Sequence, residues 1–320
     1  MSLPYEESFA RHETFHPRYG WLRKAVVATA IAPNVFLESD ATVTLGVGKN
    51  MVRAIRYWAG ATGLIEEHAL EGRPRSPGMR PSKLGAFLLG ADGADPYLED
   101  PTSLWMLHWQ LVRRGSKAAI WYLTFNRFPQ REFSDEELTD WATREVARDG
   151  LTDRAPASIA KDVSCLLRMY SPTTAVASQT LVSPFAALRL VDRMEGKAPR
   201  YRITYGPKSG LSPHLVALVA LDLLASDGPG TRSIGLWRLA TSESSPGRVF
   251  ALSEGEVAQA LEEAGALVPG MTIGVFEGTR KLMVDQSPEA VANVLLANLF
   301  PTRPFELAWA DVRTGEGSHR

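Results

Sequence analysis

Residues 40–67, DATVTLGVGKNMVRAIRYWAGATGLIEE, decide how the first part of the chain reads. Asp40 is placed to cap a short helix of about seven residues, and Gly46 and Gly48 bracket a tight turn. A second helix is expected from about Lys49 to Ala59. At roughly 100° per residue, Lys49, Arg53 and Arg56 share one narrow arc, flanked by Asn50 and Tyr57. Val52, Ile55 and Ala59 gather opposite, with Met51 and Trp58 at the edge. Such a helix can bury one side in a three-helix core and offer the other to phosphates and base edges. An amphipathic helix with a solvated basic face has the same pattern, and helix-turn-helix units also serve protein contacts.

Working outward, Tyr19–Thr29 reads as a preceding helix carrying Trp21, Leu22, Val26 and Val27, and Leu64–Leu70 as a following strand. GRPRSPGMRP (residues 72–81) is a turn-rich loop with Arg73, Arg75 and Arg80, in which three prolines supply no ladder donors. A helix from Ser82 to Leu89 closes the unit. This order predicts a winged helix-turn-helix over residues 1–90, with the loop against phosphates. Charge agrees: residues 1–90 hold 11 Lys and Arg against 8 Asp and Glu, and the remainder 24 against 28. The bias is too small to establish nucleic-acid binding without local clustering.

The 320 residues, 45% hydrophobic and 22% charged, allow two or three domains with ample core. No run of about 18 apolar residues occurs, so no membrane span is expected. MSLPYEESFARHETF has early acids and no apolar segment, unlike a signal peptide. A cytoplasmic location is expected. The single cysteine, Cys165, excludes an internal disulfide framework and reads as a small buried residue.

GADGADPYLEDP (residues 90–101) marks a boundary. Asp95, Glu99 and Asp100 are candidate ligands for Mg²⁺ or Mn²⁺, since such ions take one or two carboxylates with water and phosphate. A polar linker whose Asp caps the next helix accounts for the same residues. Thr102–Val112 and Ala118–Phe125 are apolar nearly all round and predict a buried hairpin enclosing a core histidine, His108. Ser134 with Glu137 forms a capping box for a helix to about Arg148, and Ser158–Tyr170 continues as a second possible helix-turn-helix, read as structural or partner-binding. Residues 91–180 thus read as a helical middle domain. Leu211–Ala225, a second capping box at Ser253 and Glu256, a hairpin around EGTR and a helix Ser287–Leu299 predict a C-terminal winged-helix-like α+β domain over 181–309, before a disordered tail. The fold class is mainly α with small β-hairpins.

No phosphate-binding loop, GxSxG elbow, HExxH or zinc spacing occurs, and no nucleotide cofactor is expected. The densest chemistry is RHETFHPR, residues 11–18. Phosphodiester cleavage needs a group to activate the attacking oxygen, cations for charge on phosphorus and a proton for the leaving oxygen. His12, Glu13 and His16 could carry the protons, with Arg11 and Arg18 as clamps. Alternatively the block is structural, with His16–Pro17 shaping the approach to the first helix.

SFARHETFHPRYGWL (8–22), LGVGKNMVRAIRYW (45–58) and DPYLEDPTSLWMLHWQL (95–111), in this order, resemble the SspB family of bacterial single-strand DNA phosphorothioation systems. The resemblance extends through about Tyr170. It implies a DNA nickase acting on double-stranded DNA in anti-phage defence, alongside a cysteine desulfurase, an ATPase and an ATP-pyrophosphatase-like enzyme. The alternative is a non-catalytic DNA-binding adaptor that recruits the sulfur-transfer partners. The oligomeric state is not legible.

Overall fold

The computed structural model describes residues 3–72, 76–151, 156–171, 182–196, 198–276, 278–300 and 307–313. The chain opens with an irregular strap, residues 3–20, followed by α1 (Trp21–Ile31), α2 (Ala41–Leu45) and α3 (Lys49–Ala61). β1 (Ile65–His68) and β2 (Gly78–Pro81) then pair antiparallel, from Ile65 opposite Pro81 to His68 opposite Gly78. α4 (Lys83–Leu89) follows. Four details correct the sequence reading. Residues 78–81 form a strand, because Pro81 stands at its end, where its missing donor costs nothing to the ladder. Asp40 precedes a helix of 5 residues and makes no side-chain cap. Lys24 instead closes the other end of that helix, donating from Nζ to the Leu45 carbonyl at 2.6 Å. Trp58 is not at an edge but fully buried, with its indole N–H on the Phe15 carbonyl at 2.8 Å.

The middle of the chain holds α5 (Pro101–Val112), α6 (Ala119–Asn126), β3 (Glu132–Phe133), α7 (Asp135–Arg148), α8 (Pro156–Tyr170), β4 (Val191–Met194) and β5 (Arg200–Ile203). The stretch 91–180 read as helical holds one two-residue strand, β3, which joins β5 and β4 from beyond residue 180 in an antiparallel sheet ordered β3, β5, β4. Its strands have two to four residues, too few to show a period of two among charged neighbours. α5 and α6 form the expected buried pair. The Ser134–Glu137 capping box forms, and three acids in the first turn of α7 suit its helix dipole.

The last third runs α9 (Pro213–Ser226), β6 (Ser233–Gly235), α10 (Leu236–Thr241), α11 (Pro246–Val249), α12 (Glu254–Leu267), β7 (Met271–Phe276), β8 (Thr279–Val284) and α13 (Pro288–Ala297). Its sheet order is β6, β8, β7. The tail expected from residue 310 starts in a helix, α14 (Trp309–Val312). Burial explains the order: Trp309 stacks on Trp109 at 5.6 Å, and Arg113 donates to the Val312 and Arg313 carbonyls. Residues 314–320 lie outside the described residues.

One apolar core runs from Tyr5 to Val312 through all three expected domains. A small satellite of Ala41, Leu45 and Val52 lies under the turn between α2 and α3. Among the described residues no helix is long and apolar enough to cross a membrane.

Candidate nucleic-acid interface

α3 turns its apolar side inward, burying Val52, Ala54, Ile55, Trp58, Ala59 and Ala61. Helical periodicity then leaves Lys49, Asn50 and Arg53 exposed and Arg56 half-exposed on one edge. Gly48 caps the helix without a side chain, and no acid sits in the first turn. The positive end of the helix dipole therefore adds to the basic edge.

The RHETFHPR block lies against this helix as a strap. Ala10, Glu13 and Thr14 adopt positive φ, which folds the segment into tight turns. The strap is pinned from both sides. His12 is fully buried, with its ring stacked 5.7 Å from that of Trp58 on α3 and Nε2 2.6 Å from Asp162 Oδ1 on α8. The Ala10 N–H donates to both Asp162 oxygens. Burial pushes the Asp162 carboxyl above the usual carboxylate range, while His12 and the Ala10 N–H pull it back. Among the described residues His12 Nδ1 has no hydrogen-bond partner.

Two consecutive strap residues stay at the surface and reach opposite neighbours. Glu13 Oε1 accepts from Arg53 at 3.2 Å, and the Thr14 carbonyl accepts from Arg168 of α8 at 2.8 Å. Arg11 is exposed on the same strap. The structure thus brings together Glu13 and Arg53, which the sequence could only place on separate segments.

His16 differs from His12. It is half-buried, and burial holds its imidazole below the ordinary 6.5; the guanidiniums of Arg168 and Arg18 act in the same direction and the Pro17 carbonyl against them. Nδ1 lies 3.2 Å from that carbonyl, which can only accept, so Nδ1 carries the hydrogen. Nε2 keeps its lone pair and the ring is neutral at pH 7. Arg18 packs over the rings of Phe15 and Trp21, at 5.7 and 5.1 Å.

The other predicted residues lie apart in role. Arg80, on β2, forks onto Glu66 of β1 at 2.7–2.8 Å, which partly neutralises the hairpin. Arg73 and Arg75 lie outside the described residues. The acidic segment does not assemble as a ligand set. Both oxygens of Asp95 accept backbone N–H groups, from Glu99 and Asp100, and Asp100 caps α5 through the Thr102 N–H. Glu99 points to solvent. Among the described residues no group of three or more His, Cys, Asp or Glu converges for a metal ion. A carboxylate that satisfies local donors is already used for folding, which is why the spacing resembled a site.

Sequence reading missed Asp162 and Arg168. Both sit on α8, about 150 positions from the strap they hold, so no local pattern marks them. It also missed an apolar cleft of about 660 Å³ between α1, α2 and the loop at Pro96–Leu98. Ile31, 81% exposed, and Tyr97, 65% exposed, stand beside it.

Comparison with known proteins agrees with the resemblance to the SspB family. Residues 9–300 match the family model described as protein of unknown function (DUF4007). A magnesium-bound SspB crystal structure is 36% identical, with a TM-score of 0.87 over 97% of this chain and 93% of that one. A second SspB crystal structure is 37% identical, with the same TM-score and coverage. Comparison with curated proteins yields no match. With near-complete coverage on both sides, the chain belongs to the DUF4007 family and, within it, groups with SspB.

Proposed function

We propose that this protein binds duplex DNA through the α3 edge, the strap and the β1–β2 hairpin, and nicks one strand as a component of a phosphorothioation system. α1, α2, α3 and the hairpin follow the order of a winged helix-turn-helix, with α3 as the groove-facing helix. The observation that carries the reading is the contact of the strap with the basic edge of α3, Glu13 on Arg53 at 3.2 Å, with Lys49 and Asn50 exposed on the same helix edge and Arg11 exposed on the strap. Phosphates would be held by the cations and base edges met by Asn50 and Arg53.

Kinship with SspB and the state of His16 support nicking. A neutral imidazole with a free Nε2 lone pair can take the proton of an attacking water. Arg18 and Arg168 beside it can offset the charge that grows on phosphorus, and the protonated ring can return its proton to the leaving oxygen. Buried His12 is assigned to positioning the strap. One SspB relative holds magnesium. The acidic segment of this chain does not fit that ion as a converging ligand set, since Asp95 and Asp100 already accept backbone N–H groups. Other phosphorothioation proteins are the expected partners.

A second reading, a non-catalytic adaptor, is favoured by the apolar cleft with its exposed Ile31 and Tyr97, since such patches often dock proteins. A supercoiled-plasmid assay with Mg²⁺, Mn²⁺ or EDTA separates the two. Wild type should yield open circle, and His16→Ala should lose it while still binding DNA and melting like wild type. Plasmid that is bound yet stays supercoiled in every condition would leave the adaptor reading.

A further inference from the structure

We infer that α8 is a second DNA-contacting helix, joined to α3 by the strap into one continuous face. The inference rests on the DNA-binding reading above. Its first support is topological. α6, β3, α7, α8, β4 and β5, with sheet order β3, β5, β4, repeat the order of α9, β6, α10, α12, β7 and β8, with sheet order β6, β8, β7, the latter unit carrying the additional four-residue α11 between α10 and α12. In both, a strand precedes the helices and pairs with the last strand of the hairpin. The first unit has the same helices and hairpin without that strand. In every unit one helix enters the hairpin, and those three helices are α3, α8 and α12.

Charge decides which of the three can meet phosphate. α12 exposes Glu254, Gln259, Glu262 and Glu263, so its outer face repels DNA. Arg280 of the neighbouring hairpin is engaged by Glu262 at 2.7 Å. α8 exposes Lys161, Ser164 and Arg168. Steps of three and seven residues put these within an arc of roughly 60°. This stripe carries cations, one hydroxyl donor and no acid.

Proximity supplies the third support. Asp162, one residue from Lys161, holds His12, whose ring stacks on Trp58 of α3. Arg168, at the end of the stripe, reaches the Thr14 carbonyl, and Arg53 reaches Glu13, the preceding strap residue. The outer edges of α3 and α8 therefore meet at two consecutive strap residues, α3 at the half-exposed Glu13 and α8 at the exposed Thr14. A duplex lying on α3 would run across the strap onto α8.

The test uses the full chain and a fluorescently labelled 30-base-pair duplex, titrated by anisotropy across a salt series. Lys161→Glu with Ser164→Glu should weaken binding at least about tenfold, with an unchanged melting temperature because both residues are exposed. Lys161→Ala should lower the log–log salt slope by about 0.9, the value of one phosphate contact, and Lys161→Arg should restore it. Arg232→Glu, a charge reversal at an exposed position of the third unit, should leave affinity unchanged. Arg53→Ala with Arg56→Ala monitors α3. If the α3 pair weakens binding and the α8 pair does not, the inference about α8 is wrong and the DNA reading stands. If wild type does not bind the duplex, or binds it with neither pair mattering, both fall.

Discussion

His108 shows what this interior does to a titratable residue. Its Nε2 lies 2.7 Å from the Val249 carbonyl and its Nδ1 2.7 Å from the Tyr170 hydroxyl. The carbonyl can only accept, so Nε2–H donates to it and Nδ1 accepts the phenol proton. Protonating Nδ1 would turn the phenol from donor to acceptor and place a full charge in a fully buried site. Burial accordingly lowers the His108 pKa from 6.5 to about 4, with the carbonyl acting weakly the other way. A neutral histidine that must charge binds more protons unfolded than folded between those values. Stability is then full above pH 6.5 and is lost as pH falls toward 4, a loss on the order of 3 kcal/mol. Urea unfolding at pH 7 and pH 4.5 measures it, with His108→Gln as the reference. Equal acid losses in both proteins would assign the effect elsewhere. The core role of His108 was legible, because its neighbours on the helix are apolar all round. The difference between His12 and His16 was not, since the carboxylate that buries one of them comes from 150 positions away.

At the scale of elements, periodicity revealed most helices and both capping boxes, whose causes are local. The short strands depend on pairing partners: β3 is held only by β5, some 70 positions on. Prolines near Gly78–Pro81 read as breakers, although one can end a strand. Glycines show the same limit in sharper form. Gly60 in α3 and Gly85 in α4 look alike in sequence. A Cβ on Gly60 would meet nothing within 4 Å, whereas on Gly85 it would lie 1.9 Å from the Leu64 carbonyl oxygen. That carbonyl also accepts from Ser82, whose side chain caps α4, so it cannot move without the cap. Gly60→Ala should therefore stabilise the protein by about 0.5–1 kcal/mol, through helix propensity alone. Gly85→Ala should destabilise it by about 2 kcal/mol or more, because overpacking outweighs the same gain. Chemical denaturation midpoints read both. A stabilising Gly85→Ala would mean that α4 is seated differently from the arrangement described.

For the whole molecule, the question is whether the three expected units fold separately. The core gives one answer, being continuous, and a charged junction gives another. Arg127, just after α6, donates to Asp149 at the end of α7 and to Glu243 between α10 and α11, both at 2.8 Å, and lies 3.5 Å from Glu145. Tyr5 of the strap donates to Asp149 and Tyr122 to Glu243, at 2.6 and 2.7 Å. Burial and these carboxylates hold both phenols protonated well above the ordinary 10. A single guanidinium thus compensates carboxylates from two units while the N-terminal strap is tied to the same group. Lysine cannot replace it, since a point charge lacks the fork that serves two acids. Arg127→Ala leaves Asp149 without its guanidinium and Glu145 with Arg148 alone, both largely buried, beside the half-exposed Glu243, a loss of roughly 1–3 kcal/mol. The form of the loss is the more telling measurement. With the junction intact, calorimetry should show a single cooperative transition, as expected where one core spans the chain. With Arg127→Ala the last unit should melt first and separately. Its acidic α12 then no longer shares a rigid frame with the basic α3 and α8. A variant that still melts in one step, merely at a lower temperature, would show that the apolar core alone couples the units.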